Sequence, residues 1–279
     1  KSVLEVLRDK CCDILSLPEV IQNFQIFLND DSVIVRQITF EIFAKLAEQN
    51  PLFVASYTRS AIQDAFFIIK HSPSIRETAK YTQTLPELVN ASRSMIKVYS
   101  AGFMDICITL LTNPYPKLEN FMDIDSYNMI LIGVTDSLSL LAPLDPPQVY
   151  HYREIVIPLI CDILLTNNKL DLSLSILKFF TNLLSAPSCT AQTSYREMTP
   201  IIFSACSKFL SETHSRHARM ATLQTLGVIG VTELHHKTVP SVEKNPENVD
   251  DSLLRQFYHP SRDLEKKERE KQEKERRIR

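Results

Sequence analysis

The side chains able to share a proton, a metal or a phosphate are scattered here rather than grouped. His214 and His217 stand three apart and His235 and His236 are adjacent, a start towards a zinc site. Zinc needs three or four converging Cys, His or carboxylate ligands, and neither cluster brings the rest. These histidines read as surface residues of inter-helix turns. Asp123 and Asp125 flank Ile124 and read as solvated loop carboxylates rather than a general acid–base pair. Serine, histidine and aspartate occur throughout, with no nucleophile elbow. Gly227 and Gly230, in "LGVIGV", are the nearest thing to a phosphate-cradling loop, but they read as close helix packing or chain exit at the end of a helix. No catalytic, cofactor-binding or metal-ligating residue is therefore assigned.

Composition narrows the class. The chain has 279 residues, 44% hydrophobic and 23% charged, enough for a large core in one or two domains or one elongated array. Four glycines are few where roughly 7% is usual, which favours helices over tight β-turns. A net charge of −2 gives no general attraction to nucleic acid or to an anionic membrane. No apolar run of eighteen residues and no secretory signal is present, so no transmembrane segment is expected. The six cysteines form no CxxC pair. Cys107, Cys161 and Cys206 lie in apolar helical runs and read as reduced, buried thiols of a cytosolic protein; Cys11 and Cys12 read as one buried and one partly exposed. Lys1 is not methionine, and a helical pattern (Leu4, Leu7, Cys11, Ile14) is already running there, which predicts a start inside a longer protein.

The elements that must position any site are helices. In "NDDSVIVRQITFEIFAKLAEQNP" (Asn29 to Pro51), Val35, Ile38, Ile42 and Leu46 share one face, widened by Phe43 and Ala47. Arg36, Gln37, Glu41, Lys45 and Glu48 turn to water. Asp30, Asp31 and Ser32 are candidate caps, and Pro51 marks the stop.

Such helices recur. "YREIVIPLICDILLTNN" begins at Tyr152 and "YREMTPIIFSACSKFLSE" at Tyr195, 43 residues on. "YTRSAIQDAFFIIKH" begins at Tyr57 and "YSAGFMDICITLLTN" at Tyr99, 42 apart. The middle interval is 53, its excess assigned to an insertion near 113–125, "NPYPKLENFMDID". Each tyrosine-led helix is followed by a second helical pattern, roughly Ser74 to Val89, Ser126 to Leu141, Leu170 to Leu184 and His217 to Val231. With "LPEVIQNFQIFLN" and the opening helix as an earlier pair, about five helix pairs result. Their period of about 40–47 residues is that of HEAT and armadillo arrays. The expected fold is an all-α solenoid in which each pair buries its apolar face against the next. Tyr57, Tyr99, Tyr152 and Tyr195 mark the repeat, packing at the start of each first helix.

Two stretches resemble a known family. "LNDDSVIVRQITFEIFAKLAEQNPLFV" is similar to helix-pair regions of TOR (target of rapamycin) kinases, with a turn at Asp31, a helix bearing Arg36, then Asn-Pro-x-Phe-Val. "RMATLQTLGVIGVTELHHKTV" resembles the TOR segment whose repeat helix ends in Leu-Gly-x-x-Gly, here at Gly227 and Gly230. The resemblance covers roughly Val20 to Val239. Pro114 to Asp125 is foreign to the pattern, Glu233-Leu234-His235 stands where Asp-Pro-Tyr is expected, and nothing after Pro240 matches. The resemblance implies the solenoid region of a large Ser/Thr protein kinase of nutrient and growth signalling. Accessory subunits or substrates would be the partners, a homodimer is allowed, and the location would be cytoplasmic, peripheral at endomembranes. It brings no catalytic residue, and ATP and magnesium would enter only with a downstream kinase domain.

The expected organisation is a repeat array over 1–239, a linker over 240–260 and a charged tail over 261–279. "KTVPSVEKNPENVD" is polar and carries two prolines; "SRDLEKKEREKQEKERRIR" mixes both signs and reads as an exposed single helix or a disordered segment. Its interleaved glutamates weaken a nucleic-acid role for "ERRIR". A non-catalytic scaffold for protein–protein interaction is the expected function. The alternative is a stand-alone HEAT adaptor unrelated to TOR, a transport receptor or phosphatase-type scaffold.

Overall fold

The computed structural model describes residues 17–30, 32–112, 121–185 and 195–238. Twelve α-helices occur among them, with no strand. They are α1 (Pro18–Phe24, continued by a 3-10 turn, Gln25–Asn29), α2 (Val33–Gln49), α3 (Pro51–His71), α4 (Ile75–Thr82), α5 (Leu85–Ala91) and α6 (Ile96–Thr112). Then follow α7 (Phe121–Leu144), α8 (Pro146–His151), α9 (Arg153–Thr166), α10 (Leu170–Ser185), α11 (Thr199–Glu212) and α12 (Arg216–Thr238). Packing divides the chain after Glu233. The first unit holds the helix pairs; of the second, only the last turn of α12 is described. The expected linker and charged tail, Asp31, and the cysteines at 11, 12 and 189 lie outside the described residues.

The first unit is an all-α array in two layers. One layer runs α3, α6, α9, α11, each helix touching the next. The other runs α2, α4 with α5, α7, α10, again neighbour to neighbour, and α12 follows through hydrogen bonds to α10. One core joins the layers, from Ile21 through Phe43, Phe103, Leu138 and Phe179 to Ile229. Fully burying one such side chain contributes about 1.5–3 kcal/mol, and each pair exposes a face that only its neighbour covers. Two apolar segments, Arg93–Thr112 and Met122–Leu144, are long enough by composition to cross a membrane, yet many of their residues are buried against other helices.

Helix ends follow local chemistry. Pro51 opens α3 where its missing amide costs nothing, and α2 stops at Gln49. At the start of α2 no side chain caps the helix. Instead the Asp30 carboxylate accepts the Ser32 amide at 2.8 Å, a turn motif rather than a cap. Ser74 does cap α4, accepting the Glu77 amide at 3.4 Å.

The expected helix from Ser74 to Val89 is two helices. In a continuous helix the amide of residue 86 would donate to the Thr82 carbonyl, and Pro86 has no amide. The chain breaks at Gln83 and Thr84. Likewise "LPEVIQNFQIFLN" is α1 plus the 3-10 turn. The extra length in the middle interval is carried in part by α8, which the spacing of apolar residues does not reveal, and residues 121–125 already belong to α7.

Candidate interaction surface

The seam between consecutive second-layer helices is partly polar. Thr135 and Ser175 share a hydrogen bond of 2.6 Å, and Ser175 donates to Asp136 at 2.8 Å. Asn182 donates to the Ser139 hydroxyl at 2.8 Å and Thr181 meets Thr225 at 3.0 Å. The threonine hydroxyls among them also have a partner one turn back: Thr135 to Leu131, Thr181 to Leu177 and Thr225 to Ala221. Sequence reasoning misses these residues because serine and threonine carry no helical periodicity of their own.

Arg36 corrects the expectation that it faces water. It is 3% exposed. Its guanidinium donates to the carbonyls of Asp30 and Lys80 and lies 5.3 Å from the centroid of the Tyr81 ring. Gln37, expected outside, is only partly exposed and donates to the Gln83 carbonyl. Arg36 thus joins the first two pairs.

The tyrosines do not occupy one equivalent position. Tyr57 is inside α3, edge-on to Phe43 at 6.0 Å, and Tyr99 is in the first turn of α6. Tyr152 precedes α9 against His151, and Tyr195 is buried ahead of α11, its ring 5.5 Å from Tyr150. The repeated Tyr-Arg-Glu does act between repeats. Arg153 sits 4.0 Å over the Tyr150 ring and reaches Glu154 at 3.1 Å and Glu197 at 3.8 Å.

Gly227 and Gly230 are also corrected. The helix does not end there but runs to Thr238, and a Cβ at either would meet open space. The close approach to another helix's backbone belongs to Gly133, which faces the Thr82 carbonyl.

Asp123 and Asp125 lie in the first turns of α7 and face opposite neighbours, Asp123 towards Arg76 at 3.7 Å and Asp125 towards Lys169 at 2.8 Å. They brace adjacent pairs rather than converge on one reacting atom. His214 and His217 are exposed at the start of α12. Among the described residues no three His, Cys, Asp or Glu side chains gather as a metal-holding group. Cys107, Cys161 and Cys206 are free and buried.

A groove of about 440 Å³ opens between α2 and α5, lined by Glu41, Lys45, Glu48, Glu87, Asn90 and Arg93. Burial pushes the Glu87 carboxyl up to about 7, opposed by a backbone hydrogen bond and helped by the charges of Glu41 and Asp136. Its Oε2 is buried without a hydrogen-bond partner. The groove brings opposite charges and an amide side by side.

The class defined by this geometry is an all-α solenoid of stacked helix pairs. The crystal structure of an engineered protein shares the fold, with a TM-score of 0.51 over 82% of this chain and 90% of that one at 13% identity. In sequence, 120 residues are 26% identical to serine/threonine-protein kinase tor1 of Schizosaccharomyces pombe, covering 43% of this chain and 5% of the kinase. No family model matches the chain.

Proposed function

We propose that this chain is a non-catalytic scaffold for protein–protein interaction, corresponding to part of the helical solenoid of a TOR-like Ser/Thr kinase in nutrient and growth signalling. One observation carries the scaffold reading. Successive pairs are joined by polar contacts such as Arg36 to Lys80, Ser175 to Asp136 and Arg153 to Glu197, so these groups are spent on stacking. The similarity to tor1 supports the kinase-solenoid part of the proposal. Its partners would be accessory subunits or substrates of such a complex, with self-association a further outcome, and its location the cytoplasm, peripheral at endomembranes.

Two measurements test this. The isolated 279-residue chain, incubated with ATP, magnesium and a generic peptide substrate, should transfer no phosphate; transfer would overturn the scaffold assignment. Affinity purification of the tagged chain from its native cells should enrich subunits of a TOR complex. Enrichment of transport cargo or a phosphatase catalytic subunit would favour the stand-alone adaptor.

A further inference from the structure

The groove between α2 and α5 is internal to the array. The 3-10 turn after α1 packs against α2 on one flank and α7 packs against α5 on the other, so both walls have neighbours. Its volume of about 440 Å³ falls in the range of ligand-holding pockets, about 300–1,000 Å³. Three carboxylates line it, Glu41 and Glu48 from α2 and Glu87 from α5, with Asn90 of α5 beside them. Lys45 of α2 and Arg93, just after α5, complete the wall. Glu87 holds its Oε2 buried with no hydrogen-bond partner. A buried acceptor in that state is costly, and what it lacks is a donor.

The charges around Glu87 say which donor. Burial first, then the charges of Glu41 and of Asp136 on α7, disfavour its carboxylate; a backbone hydrogen bond and Lys178 of α10 work the other way. Such a place attracts a cation and repels an anion. A bare metal ion is a poor match, because among the described residues no three His, Cys, Asp or Glu side chains gather as a metal-holding group. The carboxylates come from two helices, so one cation must span them with several donors. A guanidinium does so with five N–H groups in a planar fork, whereas an ammonium is a compact point charge.

We infer that this groove is a binding site for a guanidinium group, which donates to the Glu87 Oε2 and to the Glu41 carboxylate across the seam between α2 and α5. Glu48 and Asn90 offer further acceptors. Lys45 and Arg93 keep part of the wall positive, which admits one cationic group and disfavours a basic cluster. The site deepens the scaffold reading and rests on it for the source of the ligand, an arginine side chain of a partner protein. It can fail alone, because partners can be held on other faces while the groove stays empty.

The test uses the full chain and a fluorescein-labelled pentapeptide, Gly-Gly-Arg-Gly-Gly, with citrulline and lysine versions as controls. Citrulline matches arginine in length and carries no charge. Anisotropy should show the arginine peptide binding at least about tenfold more tightly than either control. Glu87→Gln keeps the side chain's size and cannot ionise; it should weaken binding at least about tenfold. Glu212→Gln, at an exposed carboxylate on α11, should leave binding unchanged. Circular dichroism checks that both variants are folded. Carbon-13 NMR of the Glu87 carboxyl gives a second readout: the bound peptide should lower its titration midpoint, so binding should tighten as pH rises from about 6 to about 8. Equal binding of the arginine and citrulline peptides, no binding at about 1 mM, an unmoved Glu87 titration, or displacement by equimolar magnesium or calcium would each overturn the inference. Tighter binding of the peptide than of free L-arginine supports a protein source, and the reverse would overturn that source. Loss of TOR-subunit enrichment with peptide binding retained would instead sink the proposed function and leave the guanidinium site standing.

Discussion

Gly133 in α7 lies so close to Thr82 at the end of α4 that a Cβ on residue 133 would stand 2.4 Å from the Thr82 carbonyl oxygen. The obstacle is backbone, which cannot rotate aside. Gly133→Ala should therefore destabilise the chain by about 1–3 kcal/mol, the cost of forced displacement in a packed core. Gly227→Ala should do the opposite. It fills open space within a helix and should stabilise by about 0.5–1 kcal/mol through reduced unfolded-state freedom. Thermal unfolding of the two variants checks the pair; similar shifts for both would refute this account of α7 packing.

Arg36 supplies the second prediction. Truncating it to alanine removes donors to the Asp30 and Lys80 carbonyls and the cover over Tyr81. Hydrogen bonds from a charged group contribute about 1.5–3 kcal/mol each, less the cost of keeping that charge buried. Arg36→Ala should lose about 2–3 kcal/mol in urea unfolding. Arg36→Lys should recover only part, because one ammonium cannot fork between two carbonyls in the same geometry. Full recovery by lysine would show that charge alone matters.

The two cases show what the sequence carried and what it hid. The apolar spacing of Ile38, Ile42 and Leu46 made α2 readable because a periodic face records burial directly. The recurrence of Tyr-Arg-Glu made stacking readable at 43 residues. Arg36 stayed hidden because its partner Lys80 is 44 residues away, and an arginine at a helix start looks the same whether solvated or spent on a neighbour's carbonyls. Gly133 was hidden for a related reason: what sets its value is the position of the Thr82 carbonyl, which the Pro86 break helps to define. Gly227 and Gly230 drew attention as a pair, although a Cβ at either would touch no other element. The Glu87 groove was invisible because its walls come from α2 and α5, whose packing no local pattern encodes.

The cysteines give a chemical test of the core. Cys107, Cys161 and Cys206 have thiols pushed up to about 12 by burial, so their nucleophilic thiolate is scarce at about pH 8. In the folded chain a maleimide pulse should leave these three unlabelled, and in urea all three should react. Peptide mapping by mass spectrometry separates them from the other cysteines. Rapid native-state labelling of Cys107, which is fully buried, would contradict its place between α6 and its neighbours.

Glu87 predicts how the groove responds to pH. Its folded carboxyl titrates at about 7 against an ordinary 4.5, so the fold holds its proton more tightly than the unfolded chain does. The resulting stability is fully present below about pH 4.5 and is lost as pH rises through about 7, where a carboxylate must form beside Glu41 and Asp136 in partly buried surroundings. Glu87→Gln keeps the shape and cannot ionise. Relative to the parent it should be near neutral at about pH 4.5 and more stable at about pH 8, by at most about 3 kcal/mol. Denaturant midpoints measured from about pH 4.5 to about pH 8 should therefore diverge progressively between the two proteins. Parallel curves would mean that solvent reaches the carboxyl freely and that the wall between α2 and α5 is looser than its packing implies. Asp136→Asn should lessen the divergence by removing one repelling charge while leaving burial, the larger cause, in place.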